Sequence, residues 1–554
     1  MASLESNGYV FKPHEMPFMA GSPASPVHTT SLRIRYMLVG ALLALNGGLQ
    51  NGLLLAYLPQ LRGELGLNLV QGGWVQVSYY MTYACMSIMF FKIRQTFGIA
   101  RFVKISLSLM LISNILQIWI QHYSIELIAR GIAGIGSSGM MVMAIFYFMQ
   151  GLIGKSKMLG SVFGVGGIQF GIPLARFLMP SLFADGEIAN IVIFQGAVTL
   201  LCIGCVIRLP LPPTIISRTL NKNDLISFSF WAGGMALFCG FLVQGRIIWW
   251  TSEEWLGWML AISMMMIGFA LWLESKRRNP MLDWYWISRP QILMFGFLGA
   301  FTRVLTTEQT VGATGLMETL GMQNEQMTTL YSIIIIASAL GLGLSLLTLK
   351  MTDLRRSIPI ALLGIAIGSF MDTQIGVQTR PEQIYVSQAI IAFSTLYFLG
   401  PMMIEGLVRA FAASPLHIMS YSAVFGLSQT IGALAGAAIF SAFLTWRSKI
   451  HFADITQYFS LTDPTFAASA NQTVNQFMGM GNSTQDALGI ALQTLMNQAT
   501  IESTVHAYND LFLLVGIAST IGFIYTFASW LYMKYTKKTF LAEELMRLAA
   551  LAKR

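Results

Sequence analysis

With 554 residues, 55% hydrophobic content, 11% charged residues and a mean hydropathy of +0.62, the chain is too apolar and too poor in charge for a soluble globular protein. Its net charge of +9 does not point to nucleic acid, because the basic residues lie between long apolar runs and do not gather on one amphipathic face. What remains is an all-α integral membrane protein with the bilayer as its solvent.

Residues 1–32 contain Pro13, Pro17, Pro23 and Pro26 in polar company and lack an apolar h-region, which predicts a disordered cytoplasmic tail rather than a cleaved signal peptide. At about 20 apolar residues per crossing, fourteen membrane helices are predicted. They fall over 36–58, 70–91, 102–121, 124–149, 159–182, 190–209, 225–244, 255–274, 291–314, 328–349, 357–376, 384–408, 418–445 and 510–533. Two linkers, 208–224 and 274–290, set off spans seven and eight. The organisation is therefore an N-terminal six-helix bundle (33–209), linkers with two central extra helices (210–290), and a C-terminal six-helix bundle (291–534). Between the last two spans, residues 446–507 are rich in Gln, Asn, Ser and Thr and read as a soluble outer excursion. Asn471 and Asn482 there open sequon-like triplets, a pattern common in polar loops. The basic end, 535–554, is amphipathic and is expected to lie along the inner leaflet.

Placing both termini in the cytoplasm puts 26 of the 34 lysines and arginines inside and five outside, and leaves Arg130, Arg176 and Arg303 within spans. That asymmetry is what the positive-inside rule demands, and a thirteen-span reading breaks it. The two halves also echo each other, each with a short basic connection after its second span (92–104 and 350–357), the weak internal symmetry of a repeat-built transporter.

The stretch from Leu127 to Pro180 carries the most information. It joins two glycine-rich apolar segments, each with one arginine, and an arginine at the bilayer centre costs at least about 2.5 kcal/mol on insertion scales. Arg130 and Arg176 therefore call for partners, water or a function. Gly134-Ile-Gly136-Ser-Ser-Gly139 spells a dinucleotide fingerprint, but it lacks the preceding strand and the acid about twenty residues on. Its glycines, with Gly160/Gly164, Gly167/Gly171 and Gly432/Gly436, instead read as seams for close helix packing.

Leu127-x-x-Arg130-x-x-x-Gly134, followed by Gly167-Ile-Gln-Phe-Gly171-Ile-Pro173, resembles the fourth- and fifth-span signatures of the major facilitator superfamily. The fourteen-span count, the GGWVQVSYYMTYA opening of span two and the polar loop before span fourteen resemble the EmrB/QacA-type drug:proton antiporters. The resemblance implies a major facilitator fold, proton-driven export of a small amphipathic compound across the cell inner membrane, no cofactor, and a periplasmic adaptor as a permitted partner.

The chain departs from that pattern in three places. The usual first-span acid is Gln50, the antiporter motif becomes Gly171-Ile-Pro-Leu-Ala-Arg176 with a cation in place of its last glycine, and the loop after span two lacks its aspartate.

Few carboxylates fall within spans. Glu308 and Glu405 are the candidates for carrying a proton, set against ordinary pairing of Glu405 with Arg409 four residues on, and of Glu308 with Arg303 or the outer vestibule. With three arginines against two carboxylates, a cavity lined by them is net positive and suits an anionic or polar substrate, with Asn46, Gln50, Asn51, Gln169 and Gln429 adding hydrogen bonds. No catalytic or metal-ligating constellation is present in the sequence, so no enzyme is expected. The alternatives are a siderophore-like or organic-anion importer or exporter on the same scaffold, and a transport-inactive sensor docking partners through 446–507.

Overall fold

A backbone buried in hydrocarbon must satisfy its own polar groups, and long runs of Leu, Ile, Phe, Met and Ala do so as helices. The computed structural model describes residues 3–4, 12, 15–17, 19–118, 122–217, 219–277, 279–351, 353–414, 416–457, 459, 464–480, 483–536 and 541–551. The second sequon-like triplet opens at Asn482, outside the described residues. The N-terminal helices are α1 (Thr30–Glu64), α2 (Leu69–Phe97), α3 (Ile99–Ile118), α4 (Tyr123–Gly151), α5 (Leu159–Gln169), α6 (Gly171–Leu182) and α7 (Ile188–Arg208). Two more, α8 (Lys222–Ile248) and α9 (Glu254–Ser275), are followed by the short α10 (Trp284–Ile287). The C-terminal set is α11 (Pro290–Thr306), α12 (Thr314–Thr319), α13 (Thr328–Leu347), α14 (Ser357–Met371), α15 (Tyr385–Ala413), α16 (His417–Thr456), α17 (Pro464–Gly479), α18 (Thr484–Tyr535) and α19 (Ala542–Leu551).

Helix occupies all fourteen predicted places, and among the described residues twelve helices are long and apolar enough to cross a membrane. The chain is a multi-pass membrane protein. The two places outside that set have physical reasons. Polar Gln76, Ser78, Tyr79, Tyr80 and Thr82 dilute α2, and α11 stops after 17 residues where a π-helical segment, Glu308–Ala313, begins. Span five is also broken, into α5 and α6. Pro173 has no N–H to give the Gln169 carbonyl, so the chain turns at Phe170 and restarts at Gly171.

Close glycine contacts set the helix positions. A Cβ on Gly171 would meet the backbone of Gly48, and one on Gly134 would meet the Tyr79 carbonyl and Thr82 of α2. Gly167 faces Ala44, while Gly432 and Gly436 seat α16 against Ala300, Arg303, Val304 and Thr307 of α11 and its continuation. One apolar core is built from α11 to α18 and draws in Val162 and Val165 of α5. A second joins Leu53, Tyr57, Tyr79 and Val192 to Cys239 and Val243 of α8 and to Leu434 and Ala438 of α16. The extra helix α8 thus packs on both α2 and α16.

The N-terminal segment differs from expectation, and two further segments gain definition. The described part of the N-terminal segment is packed rather than disordered. Ser3–Leu4 (β1) pairs antiparallel with Ile215–Ile216 (β2), Ala24 N–H donates to the Pro213 carbonyl at 2.9 Å, and Thr214 Oγ1 donates to the Ser22 carbonyl at 2.6 Å. Two proline-rich strips, each short of internal partners, satisfy one another. The described part of 446–507 is largely helical, since α16 runs to Thr456, α17 lies within it and α18 begins at Thr484; its alanines and glutamines are sound helix formers. Finally, α19, expected to lie along the inner leaflet, docks on α15. Leu541 is buried there and Glu544 reaches Arg409 at 3.4 Å.

Candidate functional site

The three arginines within spans meet three different fates. Arg130 is fully buried in α4 and pairs with Glu126 one turn earlier, at 2.5 Å from Nε to Oε1, while its Nη2 donates to the Tyr57 hydroxyl of α1. The i,i+4 spacing of Glu126 and Arg130 is the signal that the sequence carries for this pair. Arg176 in α6 pairs with Glu318 of α12 at 2.6 Å and approaches Asn324 Oδ1 at 3.5 Å, so it joins the N-terminal helices to the C-terminal ones. The expectation of a cavity made positive by all three arginines is therefore corrected: two of them are neutralised, by Glu126 and Glu318.

Arg303 is the third. Half-buried in α11, it takes part in no ion pair among the described residues, and its enclosed Nε meets no hydrogen-bond partner. It lines a narrow crevice of about 10 Å³, room for about one water, together with Gln169 of α5 and Gln429 of α16, two of the predicted polar residues, and with Thr302, Thr306 and Thr395. The Gly432 seam fixes this position by holding α16 against the Arg303 Cβ. The crevice is thus walled by both halves of the chain.

Glu308 pairs with neither Arg303 nor solvent. It is fully buried at the start of the π-helical segment, where its Oε1 accepts from Gln388 Nε2 at 3.1 Å. The same Nε2 donates to Asp372 Oδ2 at 3.0 Å, and Gln309 Nε2 donates to the Gln388 carbonyl at 3.3 Å. Two buried carboxyl groups from α14 and the π segment therefore share one amide of α15, and Glu308 Oε2 meets no donor. Nothing local in the sequence marks Asp372 or Gln388 for this role.

Glu405 takes the ordinary course. It receives Arg409 Nε and Nη2, both at 3.1 Å, and Arg409 also reaches Gln291. This group lies apart from the Arg303 crevice.

The first-span polar residues divide. Asn46 donates to Thr199 Oγ1 at 3.2 Å, Asn114 donates to the same oxygen at 2.7 Å, and Asn51 donates to the Tyr80 hydroxyl at 3.0 Å. Gln50 is fully buried and both of its amide atoms meet no partner. Asn46 thus joins α1 to α7, and Asn51 belongs to the surroundings of Tyr80. Gly134, Gly167 and Gly171 lie at helix contacts and Pro173 at the break in span five. Among the described residues, no group of His, Cys, Asp or Glu is arranged to hold a metal ion.

No family model and no curated protein matches the sequence. Solved structures do match it. The chain is similar to a POT family transporter in complex with a thioalcohol conjugated peptide, at 13% identity over 86% of this chain and 97% of that one, with a TM-score of 0.54. It is similar to tetrameric PepTSo2 at 12% identity, over 91% and 99%, with a TM-score of 0.53. It is also similar to the human organic anion transporter MFSD10 at 14% identity, over 89% and 100%, with a TM-score of 0.51. At such identities the likeness establishes the fold, that of the major facilitator transporters.

Proposed function

We propose that this chain is a proton-coupled secondary transporter that moves a small anionic or polar amphipathic compound across the cell inner membrane. Fourteen spans with both termini cytoplasmic carry it, as two six-helix bundles (33–209 and 291–534) rocking about a site near the midplane. The observation that carries the reading is Arg303, a guanidinium without an acid partner in a crevice walled by both halves, while Arg130 and Arg176 have theirs. An uncompensated cation there repels lipophilic cations and favours a carboxylate, sulfonate or phosphate.

Glu308 and Asp372 supply the proton. With one amide between them and no cation in contact, the pair is best accommodated holding one proton, and its loss or gain biases the inward/outward equilibrium. The missing first-span acid, replaced by Gln50, is consistent with proton chemistry located in the C-terminal half.

Protein reconstituted in liposomes with an imposed pH gradient tests the reading. Proton flux should depend on an added organic anion, the sign of accumulation gives export or import, and Arg303→Gln should weaken transport about ten- to a hundredfold. Proton flux that no anion stimulates rejects it and favours a sensor.

A further inference from the structure

A second cavity lies away from the Arg303 crevice, where the C-terminal helix α19 docks on the rest of the chain. It offers about 160 Å³, room for a phosphate-sized group with water. Its polar wall is made by Arg289 and Gln291 at the start of α11, Arg409 near the end of α15, and Glu543, Glu544 and Arg547 of α19.

The charges in that wall do not cancel. Arg409 is buried and answered by Glu405 at 3.1 Å and by Glu544 at 3.4 Å, and its Nη1 donates to Gln291 Oε1 at 3.1 Å. Those bonds fix it as part of the frame. Arg289 and Arg547 are exposed and take part in no ion pair among the described residues, and neither does the lining acid Glu543. Two unmatched cations therefore share the cavity with one unmatched acid. Arg289 also precedes a helix whose first turn receives no side-chain cap, so the positive end of α11 adds to the same sign. Guanidinium groups contributed by two different elements suit the several oxygens of a phosphate.

The neighbouring surface is suited to lipid. Trp284 and Tyr285 of α10 are exposed, and so are Leu293 and Phe297 along the first two turns of α11. Exposed aromatic residues followed by exposed apolar ones mark a membrane edge, with headgroups beside the first and acyl chains beside the second. Basic pockets between helices at that depth receive anionic headgroups.

We infer that this cavity binds a phosphate group, presented by the headgroup of an anionic phospholipid, with Arg289 and Arg547 as its ligands. The bound phosphate bridges α11 to α19 and holds the C-terminal helix against α15. The inference stands apart from the transport reading, because none of these residues lines the Arg303 crevice.

The test is binding to the purified full-length protein in a neutral detergent, by native mass spectrometry and thermal shift. The probes are dihexanoyl phosphatidylglycerol, dihexanoyl phosphatidylcholine and inorganic phosphate. Phosphatidylglycerol should bind about ten- to a hundredfold more tightly than phosphatidylcholine, and Arg289→Gln combined with Arg547→Gln should remove that difference. Glu543→Gln, which takes away the lining acid, should tighten phosphatidylglycerol binding, an effect that a merely structural role would not produce. If the double variant does not fold, Glu543→Gln and the two single Arg→Lys variants, which should keep part of the preference, decide. Inorganic phosphate binding as tightly as phosphatidylglycerol, and lost in the double variant, supports the phosphate site and overturns the lipid as its source. Equal binding of the two lipids with no binding of inorganic phosphate, or a preference that survives the double variant, overturns the inference.

Discussion

At the scale of single residues, the decisive question is which buried charges have partners. Arg130 is held by Glu126 and Tyr57, and all three are fully buried. Replacing Glu126 by Gln leaves the guanidinium where water cannot reach it, so the variant should lose about 3–5 kcal/mol of stability, the usual cost of breaking a buried pair. Thermal unfolding in detergent measures this, and an unchanged midpoint would show the pair to be dispensable. Tyr57→Phe removes only a hydrogen bond to a charged group and should cost about 1.5–3 kcal/mol. This part of the molecule was half legible: the cost of an arginine in hydrocarbon demanded a partner, and the i,i+4 rule pointed to Glu126. The Glu308–Gln388–Asp372 group was not legible, because its members come from three separate segments and meet only through tertiary packing.

At the scale of helices, hydrophobicity is a local property, so every predicted span place holds a helix. The interruptions were harder to read. Pro173 breaks span five through its missing N–H, which a sequence does reveal, but the π segment at Glu308–Ala313 has no comparable marker. Such segments favour functional positions, and this one begins at the buried glutamate. The glycine seams make a stringent prediction. Gly171 and Gly48 bring α6 and α1 into backbone contact, so Gly171→Val cannot be absorbed by moving a flexible side chain. It should exceed the 1–3 kcal/mol typical of overpacking, about 3 kcal/mol or more, and should abolish monodisperse expression. Gly131→Ala, whose nearest neighbour would be 3.8 Å away, is the matched control and should be close to neutral. A second element-scale result concerns the loop after span two, which lacks the aspartate of the resembled family. Asp224, fully buried at the start of α8, is the carboxylate that meets Lys92 at the end of α2, 3.7 Å away, and it also lies 2.6 Å from Arg277. Asp224→Asn should therefore loosen the linker from α2 and lower stability by about 3 kcal/mol, since it leaves Lys92 buried without a carboxylate. Increased protease cleavage between α7 and α8 would report it.

For the whole molecule, the contact that matters most is the one between halves. Arg176 and Glu318 bridge the two halves, on the side that the proposed topology places outside, and Glu318 follows the π segment by little more than one turn of α12. Glu318 is half exposed at 50%, so the pair is screened and contributes about 1 kcal/mol or less. That small size suits a gate. A larger one would hold the outer face shut against any differential affinity a substrate can supply, whereas about 1 kcal/mol shifts a two-state population roughly fivefold and remains reversible. Arg176→Glu places two carboxylates face to face and should favour the state with its outer side open. Labelling of a cysteine introduced beside Asn324 should then become several-fold faster in the absence of substrate. The exchanged pair, Arg176→Glu with Glu318→Arg, should restore the slow rate, an outcome that a purely structural role for Arg176 would not give. If the single variant labels no faster than the parent, or the exchange restores nothing, the pair is a surface contact and the gate lies elsewhere.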